Sequence, residues 1–207
     1  MSEAVLNVIR EARAVAILRC NDHSVGRNAL AAAVRGGFRA LEVTLSTPGA
    51  VELIAELARD TRLLVGAGTV LTVEQARAAK VAGARFLVSP VLDVEVVAEA
   101  SRLGCVVMPG CATPTELWKA HRAGAPLQKL FPAPGIGPAY VRACLGPLPF
   151  LKLVPTHGID AANARAWLDA GAFAVGFTQS LFDAEEIKAG RFDRVEERAR
   201  ALLAAVR

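Results

Sequence analysis

The sequence predicts an α/β protein: a single (β/α)8 TIM barrel over residues 1–207, with an extra helix at its N-terminus. Three observations carry this. Short apolar runs of strand-like composition recur along the chain. Five of them follow a helix-like end and a glycine, in RGGFRALEVTL, VAGARFLVSP, RLGCVVMPG, RAGAPLQKLFP and DAGAFAVGF. The two wide gaps between those glycines, Gly37 to Gly83 and Gly124 to Gly171, each hold one more run, RLLVGAGTV and PFLKLVP, and VAILR near the start completes eight. Strands alternating with helices at a short period pair in parallel through right-handed crossovers. Eight such units close into a barrel. The alternative is an open doubly wound sheet, but no glycine-rich dinucleotide fingerprint follows the first strand.

In chain order, MSEAVLNVIREAR reads as an amphipathic helix and not a signal peptide. Strands are expected near 14–19, 39–45, 62–68, 85–89, 105–109, 126–131, 150–155 and 172–177. Between them, TVEQARAAKVAG and TPTELWKAHRAG each open on a threonine in a capping-box pattern and end on glycine. No linker or low-complexity segment argues for a second domain.

Composition bounds the function. The chain is 53% hydrophobic and carries a formal charge of +4, spread over scattered arginines with no basic stripe. This excludes an evident nucleic-acid surface and leans modestly towards anionic small molecules. The apolar runs are too short to span a bilayer. Cys20, Cys105, Cys111 and Cys144 form no CxxC pair and have no histidine at metal-ligand spacing, so they read as core residues in a reducing compartment. A soluble cytoplasmic protein is expected.

In such a barrel the chemistry lies at the C-terminal ends of the strands. Alternation along LEVTL turns Glu42 and Thr44 inward, and alternation along LQKLFP turns Lys129 and Phe131 inward. A buried lysine and a buried glutamate thus point into one cavity. One reading is a buried ion pair that helps close the barrel, although such pairs stabilise weakly. The other is a nucleophilic amine beside a general acid/base. An apolar pocket disfavours the charged form of an amine, and a free amine attacks a ketone to form a Schiff base. The carboxyl group then carries the protons. Among the five lysines, Lys80, Lys119 and Lys188 fall on helical, solvent-facing patterns, and Lys152 falls nearer the bottom of its strand.

These residues are similar to a known family. AILR, LEVTL, GAGTVLT, VSP, MPGCATPTEL and LQKLFP resemble the bacterial 2-keto-3-deoxy-6-phosphogluconate (KDPG) aldolases and the related 4-hydroxy-2-oxoglutarate (KHG) and 6-phosphogalactonate aldolases. The likeness covers nearly the whole chain. It implies a class I aldolase that uses no metal or other cofactor, acts on a small-molecule 2-keto acid, and assembles as a homotrimer without nucleic-acid or membrane partners. It implies Lys129 as the Schiff-base lysine and Glu42 as the acid/base. Thr69, Pro90 and Phe131 match residues lining a pyruvate pocket, and Thr156 matches a threonine near the hydroxyl-bearing end. Some members hold the substrate carboxylate with an arginine where this chain has Ser46; Arg19 matches the arginine that others carry, and a guanidinium fork suits a carboxylate. The resemblance also implies a phosphate end of the form T-G-G and G-x-G-S. Here it reads Thr156-His157-Gly158 and Gly176-Phe177-Thr178-Gln179, with two glycines replaced by larger residues. His157, Gly158 and Thr178 are therefore candidate binding residues. The competing functions are a sugar-phosphate isomerase or epimerase on the same barrel, and a non-catalytic anion-binding barrel.

Overall fold

A computed structural model describes residues 2–207. The strands are β1 (Ala14–Leu18), β2 (Ala40–Thr44), β3 (Leu64–Gly68), β4 (Phe86–Val88), β5 (Val106–Met108), β6 (Gly110–Cys111), β7 (Gln128–Leu130), β8 (Leu153–Pro155) and β9 (Val175–Phe177). The helices are α1 (Ser2–Ala12), α2 (His23–Arg35), α3 (Ala50–Leu57), α4 (Val73–Val81), α5 (Val94–Arg102), α6 (Pro114–Arg122), α7 (Ala139–Leu145), α8 (Ala164–Asp169), α9 (Ala184–Lys188) and α10 (Phe192–Ala205).

All pairings are parallel. One sheet has six strands in the order β5-β4-β3-β2-β1-β9, and a second has three in the order β6-β7-β8. The order follows the chain, without the reversal that a doubly wound sheet contains. The expected strand at 105–109 is β5, and β6 follows it as a separate two-residue strand, with Pro109 between them and no N–H to give the ladder. Its carbonyl still accepts from Lys129 N at 3.0 Å. At the other junction, Phe173 N donates to the Leu153 carbonyl at 2.8 Å and Thr156 bridges to Gly176.

Two apolar layers separate cleanly. Leu41, Val43, Val107, Leu130, Leu153 and Val175 pack outward against the helices. Val15, Ile17, Ala40, Leu64, Phe86, Val106, Met108, Leu127, Val154 and Ala174 form an inner cluster, and Val5, Leu6 and Ile9 of α1 join it. The amphipathic N-terminal helix therefore covers one end of the strands with its apolar face. The other end is left for chemistry.

Local signals hold the helices in place. In α6 the Thr113 hydroxyl accepts from Glu116 N at 3.3 Å while the Glu116 carboxylate accepts from Thr113 N at 2.9 Å, a complete capping box. In α4 the Thr72 hydroxyl caps Gln75 N at 3.2 Å, and the Gln75 side chain reaches back one residue further, to Leu71 N. Gly83 and Gly124 follow these two helices with φ of 102° and 93°, which glycine adopts without a Cβ penalty. Among the described residues no helix is long and apolar enough to cross a membrane.

Candidate active site

A cavity of about 370 Å³ opens at the C-terminal ends of β1, β2, β7, β8 and β9. Ile17, Arg19, Glu42, Thr44, Lys129, Phe131, Thr156, His157, Thr178, Gln179, Phe182 and Ala184 line it. A larger groove of about 1240 Å³ runs outside, along α5 and α6, and shares only Phe131 with the cavity. That groove is open and faced by solvated charges. The buried Glu42 and Lys129 are in the smaller cavity.

Lys129 lies between Gly110 and Val154 in register, and only 7% of it is exposed. Its Nζ stands 4.8 Å from the centroid of the Phe131 ring, whose face attracts a cation and whose bulk shields the amine from water. Glu42 is 1% exposed and its Oε2 has no hydrogen-bond partner among the described residues. Burial pushes its carboxyl above the ordinary carboxylate range, against the opposing pull of Lys129 and then Arg19. No ion pair joins Glu42 to either cation. The expected alternative of a strand-closing salt bridge is therefore not what forms. The two groups face a shared space instead of each other.

The room for Glu42 comes from β3. A Cβ at Gly68 would stand 2.8 Å from Glu42 Cδ, and one at Gly66 would stand 2.5 Å from the Phe86 ring. Both glycines of GAG face inward, and neither side chain could be larger without displacing what packs there. In the sequence, GAG is both the end of an expected strand and part of a family motif, and two glycines two apart in a strand also signal a close approach.

At the rim, Arg19 is exposed and its guanidinium donates to Thr69 Oγ1 at 3.4 Å. Thr69 holds φ at 57° and His157 at 81°, conformations that L residues rarely adopt and that recur at functional sites. The His157 ring meets Phe131 edge-on, with centroids 6.3 Å apart. Thr44 exchanges hydrogen bonds with Ser46 at 3.1 Å and Thr47 at 3.2 Å, and Thr47 accepts from Cys20 N, which ties the ends of β1 and β2.

The cavity thus collects Arg19, Glu42, Lys129, Phe131, Thr156, His157 and Thr178. Three candidates stand outside it. Thr69 touches it only through Arg19, Pro90 lines the outer groove, and Gly158 receives the Asn163 amide on its carbonyl. Thr44, which alternation turns inward, also lines the cavity, as do Ile17, Gln179, Phe182 and Ala184, to which the sequence assigns no role. The same alternation counted back from Arg19 reaches Ile17, whereas Phe182 and Ala184 sit beyond the strand, where no periodicity reaches.

Residues 5–198 match the family model for KDPG and KHG aldolase. The 2-dehydro-3-deoxy-6-phosphogalactonate aldolase of Escherichia coli (strain K12) is 33% identical over 93% of this chain and 94% of that protein. The 2-dehydro-3-deoxy-phosphogluconate aldolase of Treponema pallidum (strain Nichols) is 38% identical over 79% of each. Among solved structures, KDPG aldolase from Legionella pneumophila, with pyruvate captured as a covalent carbinolamine, superposes with a TM-score of 0.87. It is 28% identical and covers 96% of this chain and 97% of its own.

Proposed function

The chain belongs to the KDPG and KHG aldolase family, and from that membership we propose that it is a class I aldolase. It cleaves 2-dehydro-3-deoxy-6-phosphogluconate to pyruvate and glyceraldehyde 3-phosphate, or 4-hydroxy-2-oxoglutarate to pyruvate and glyoxylate. The phosphogalactonate isomer of the former is the second substrate reading, and its support is the relative in Escherichia coli. The observation that carries the aldolase reading is a buried lysine and a buried, unpartnered carboxyl facing one cavity.

In this reading the Lys129 amine attacks the C2 ketone. Glu42, held towards its protonated form by burial, gives a proton to the departing hydroxyl as carbinolamine becomes imine. The Glu42 carboxylate so formed takes the C4 hydroxyl proton, directly or through a water. The C3–C4 bond breaks, its electron pair moves into the protonated imine, and the aldehyde leaves. The enamine is then protonated at C3 and hydrolysed to pyruvate. Phe131 walls the amine from solvent, and Arg19 anchors the substrate carboxylate through its guanidinium fork.

We also read the two sheets as one closed (β/α)8 barrel forming a single domain over 1–207. The support is the inner apolar cluster, to which β1 to β5, β8 and residues just before β7 and β9 all contribute, and the Thr156–Gly176 bridge between β8 and β9. A cytoplasmic homotrimer is the assembly this reading carries. The test of function is incubation with pyruvate and borohydride, followed by peptide mass mapping. A reduced pyruvyl adduct on Lys129, lost in Lys129→Ala, is the expected result. A folded wild-type protein without an adduct would exclude the Schiff-base mechanism.

A further inference from the structure

We infer that Thr44 binds the substrate: its hydroxyl donates a hydrogen bond to the keto-acid carboxylate that Arg19 pairs with, so that the two side chains form one site. This rests on the aldolase reading above and adds a residue to it. Thr44 ends β2, is 1% exposed, and lines the cavity. Glu42 lies one inward position deeper on the same strand. The sheet order brings Arg19 over this pair. β1 and β2 are paired as far as Leu18 and Val43, so Arg19 follows at the level of Thr44. Its guanidinium reaches Thr69, which follows β3, and β3 lies on the far side of β2. The arginine side chain therefore crosses the end of β2, and a carboxylate on its cavity side lies beside Thr44.

Three hydroxyls share the turn after β2, and their protons can be counted. Thr47 is 2% exposed, and its Oγ1 accepts from Cys20 N at 3.3 Å. Its own proton then needs an acceptor, and among the described residues Thr44 Oγ1 is within reach at 3.2 Å. Ser46, whose hydroxyl is 3.1 Å from the same oxygen, is exposed. It can donate to Thr44 or accept from it, because water satisfies whatever is left over. When Ser46 donates, both lone pairs of Thr44 are filled and its proton is directed into the cavity. An anion there favours that arrangement, since a hydroxyl gains most by donating to a charged acceptor. Thr44 is thus a donor oriented by two neighbours, and neither bond has to break for it to act. Glu42, two residues back, is pushed towards its neutral form by burial and so repels an anion less. The same network steadies the arginine. Cys20 N is the backbone donor next after Arg19, and its bond to Thr47 extends the hold of β1 on β2 past the last ladder pair.

The test is exchange of the pyruvate methyl protons for deuterium in D2O, followed by NMR with the full chain. Exchange reports imine and enamine formation and needs no aldehyde. Thr44→Val should raise KM for pyruvate about tenfold or more, the loss expected of a hydrogen bond to a charged group, with kcat within about threefold of wild type. Thr44→Ser should bring KM back to within about threefold, and Ser46→Ala, whose donor water replaces, should shift it no further than that. Thr44→Ala removes the hydroxyl with less bulk and is read in the same way where the valine variant does not fold. A wild-type KM in a folded variant lacking the Thr44 hydroxyl overturns the inference, as does a loss that falls on kcat alone or that serine does not rescue. Arg19→Ala should raise KM at least as far as Thr44→Val; no rise there removes the Arg19 assignment and this inference with it. Wild-type protein that neither exchanges nor traps pyruvate with borohydride defeats the aldolase reading itself, whereas exchange with a KM indifferent to Thr44 defeats only the inference.

Discussion

Gly68→Ala asks whether the Glu42 carboxyl must sit where it does. Gly68 ends β3 opposite Thr44, on the inward face. A methyl group there would lie 2.8 Å from Glu42 Cδ and 2.9 Å from Cγ, with Oε1 nearer still. Carbon atoms settle at about 3.5–4.0 Å, so the side chain must move by roughly 1 Å. Glu42, 1% exposed, can yield only into the cavity, away from its present position. Overpacking of this kind costs about 1–3 kcal/mol, offset by about 0.4–1 kcal/mol from the lost freedom of the unfolded glycine. At about 2–4 °C per kcal/mol for a chain of this size, Tm should fall by up to roughly 10 °C. The effect on activity is larger, because a misplacement of about 1 Å costs on the order of 10²-fold in rate. The expected variant is folded, melts slightly early, still traps pyruvate on Lys129 after long incubation, and has kcat lowered about a hundredfold. Circular dichroism melts and a pyruvate-release assay measure both quantities. A kcat near wild type alongside the lower Tm would refute the argument that Glu42 must be held in place.

Three further outcomes are expected. Burial raises the folded-state pKa of Glu42 above its ordinary 4.5, so between the two values the folded state binds more protons than the unfolded one. Stability from this group is therefore greatest below pH 4.5 and is lost as pH rises through the folded value. Glu42→Gln should gain Tm relative to wild type as pH increases from 4.5, and a constant difference across pH would contradict it. Thr69→Ala removes one long hydrogen bond to Arg19, worth about 0.5 kcal/mol, so KM for the keto acid should rise only about two- to threefold with kcat nearly unchanged. A tenfold rise would mean that Thr69 touches the substrate. All four cysteines are buried, and burial first, then Glu116, pushes the Cys111 thiol up to about 12. A thiol reagent should leave the native protein unlabelled and label four sites after denaturation; rapid native labelling would show that the core opens.

The inward face of the site was legible because strands have a period of two. Glu42, Thr44, Lys129 and Phe131 follow from which neighbours are apolar, and Leu41, Val43 and Leu130 indeed pack outward. The extent of the strands was less so. Leu64 and Leu153 begin strands that the apolar runs place earlier, since hydrophobicity continues into the connecting turns. Pro109 falls within the expected strand yet outside β5, because the pattern records burial while the ladder needs an N–H. Loop residues after the strands obey no period. Pro90 and Gly158 therefore fell on the wrong side of the rim, and Phe182 could not be anticipated.

The pairing of β1 with both β2 and β9 sets a schedule for synthesis. Ala14 lies against Val175, so one side of the first strand has no partner until almost the whole chain exists. At about 5–20 residues per second, that interval is roughly 10–30 s on the ribosome. Throughout it, the apolar β1 edge and the Val5, Leu6 and Ile9 face of α1 are only partly covered. A nascent chain of this protein should thus depend on a holding chaperone more than its modest finished size suggests, and the dependence should end abruptly once β9 has emerged.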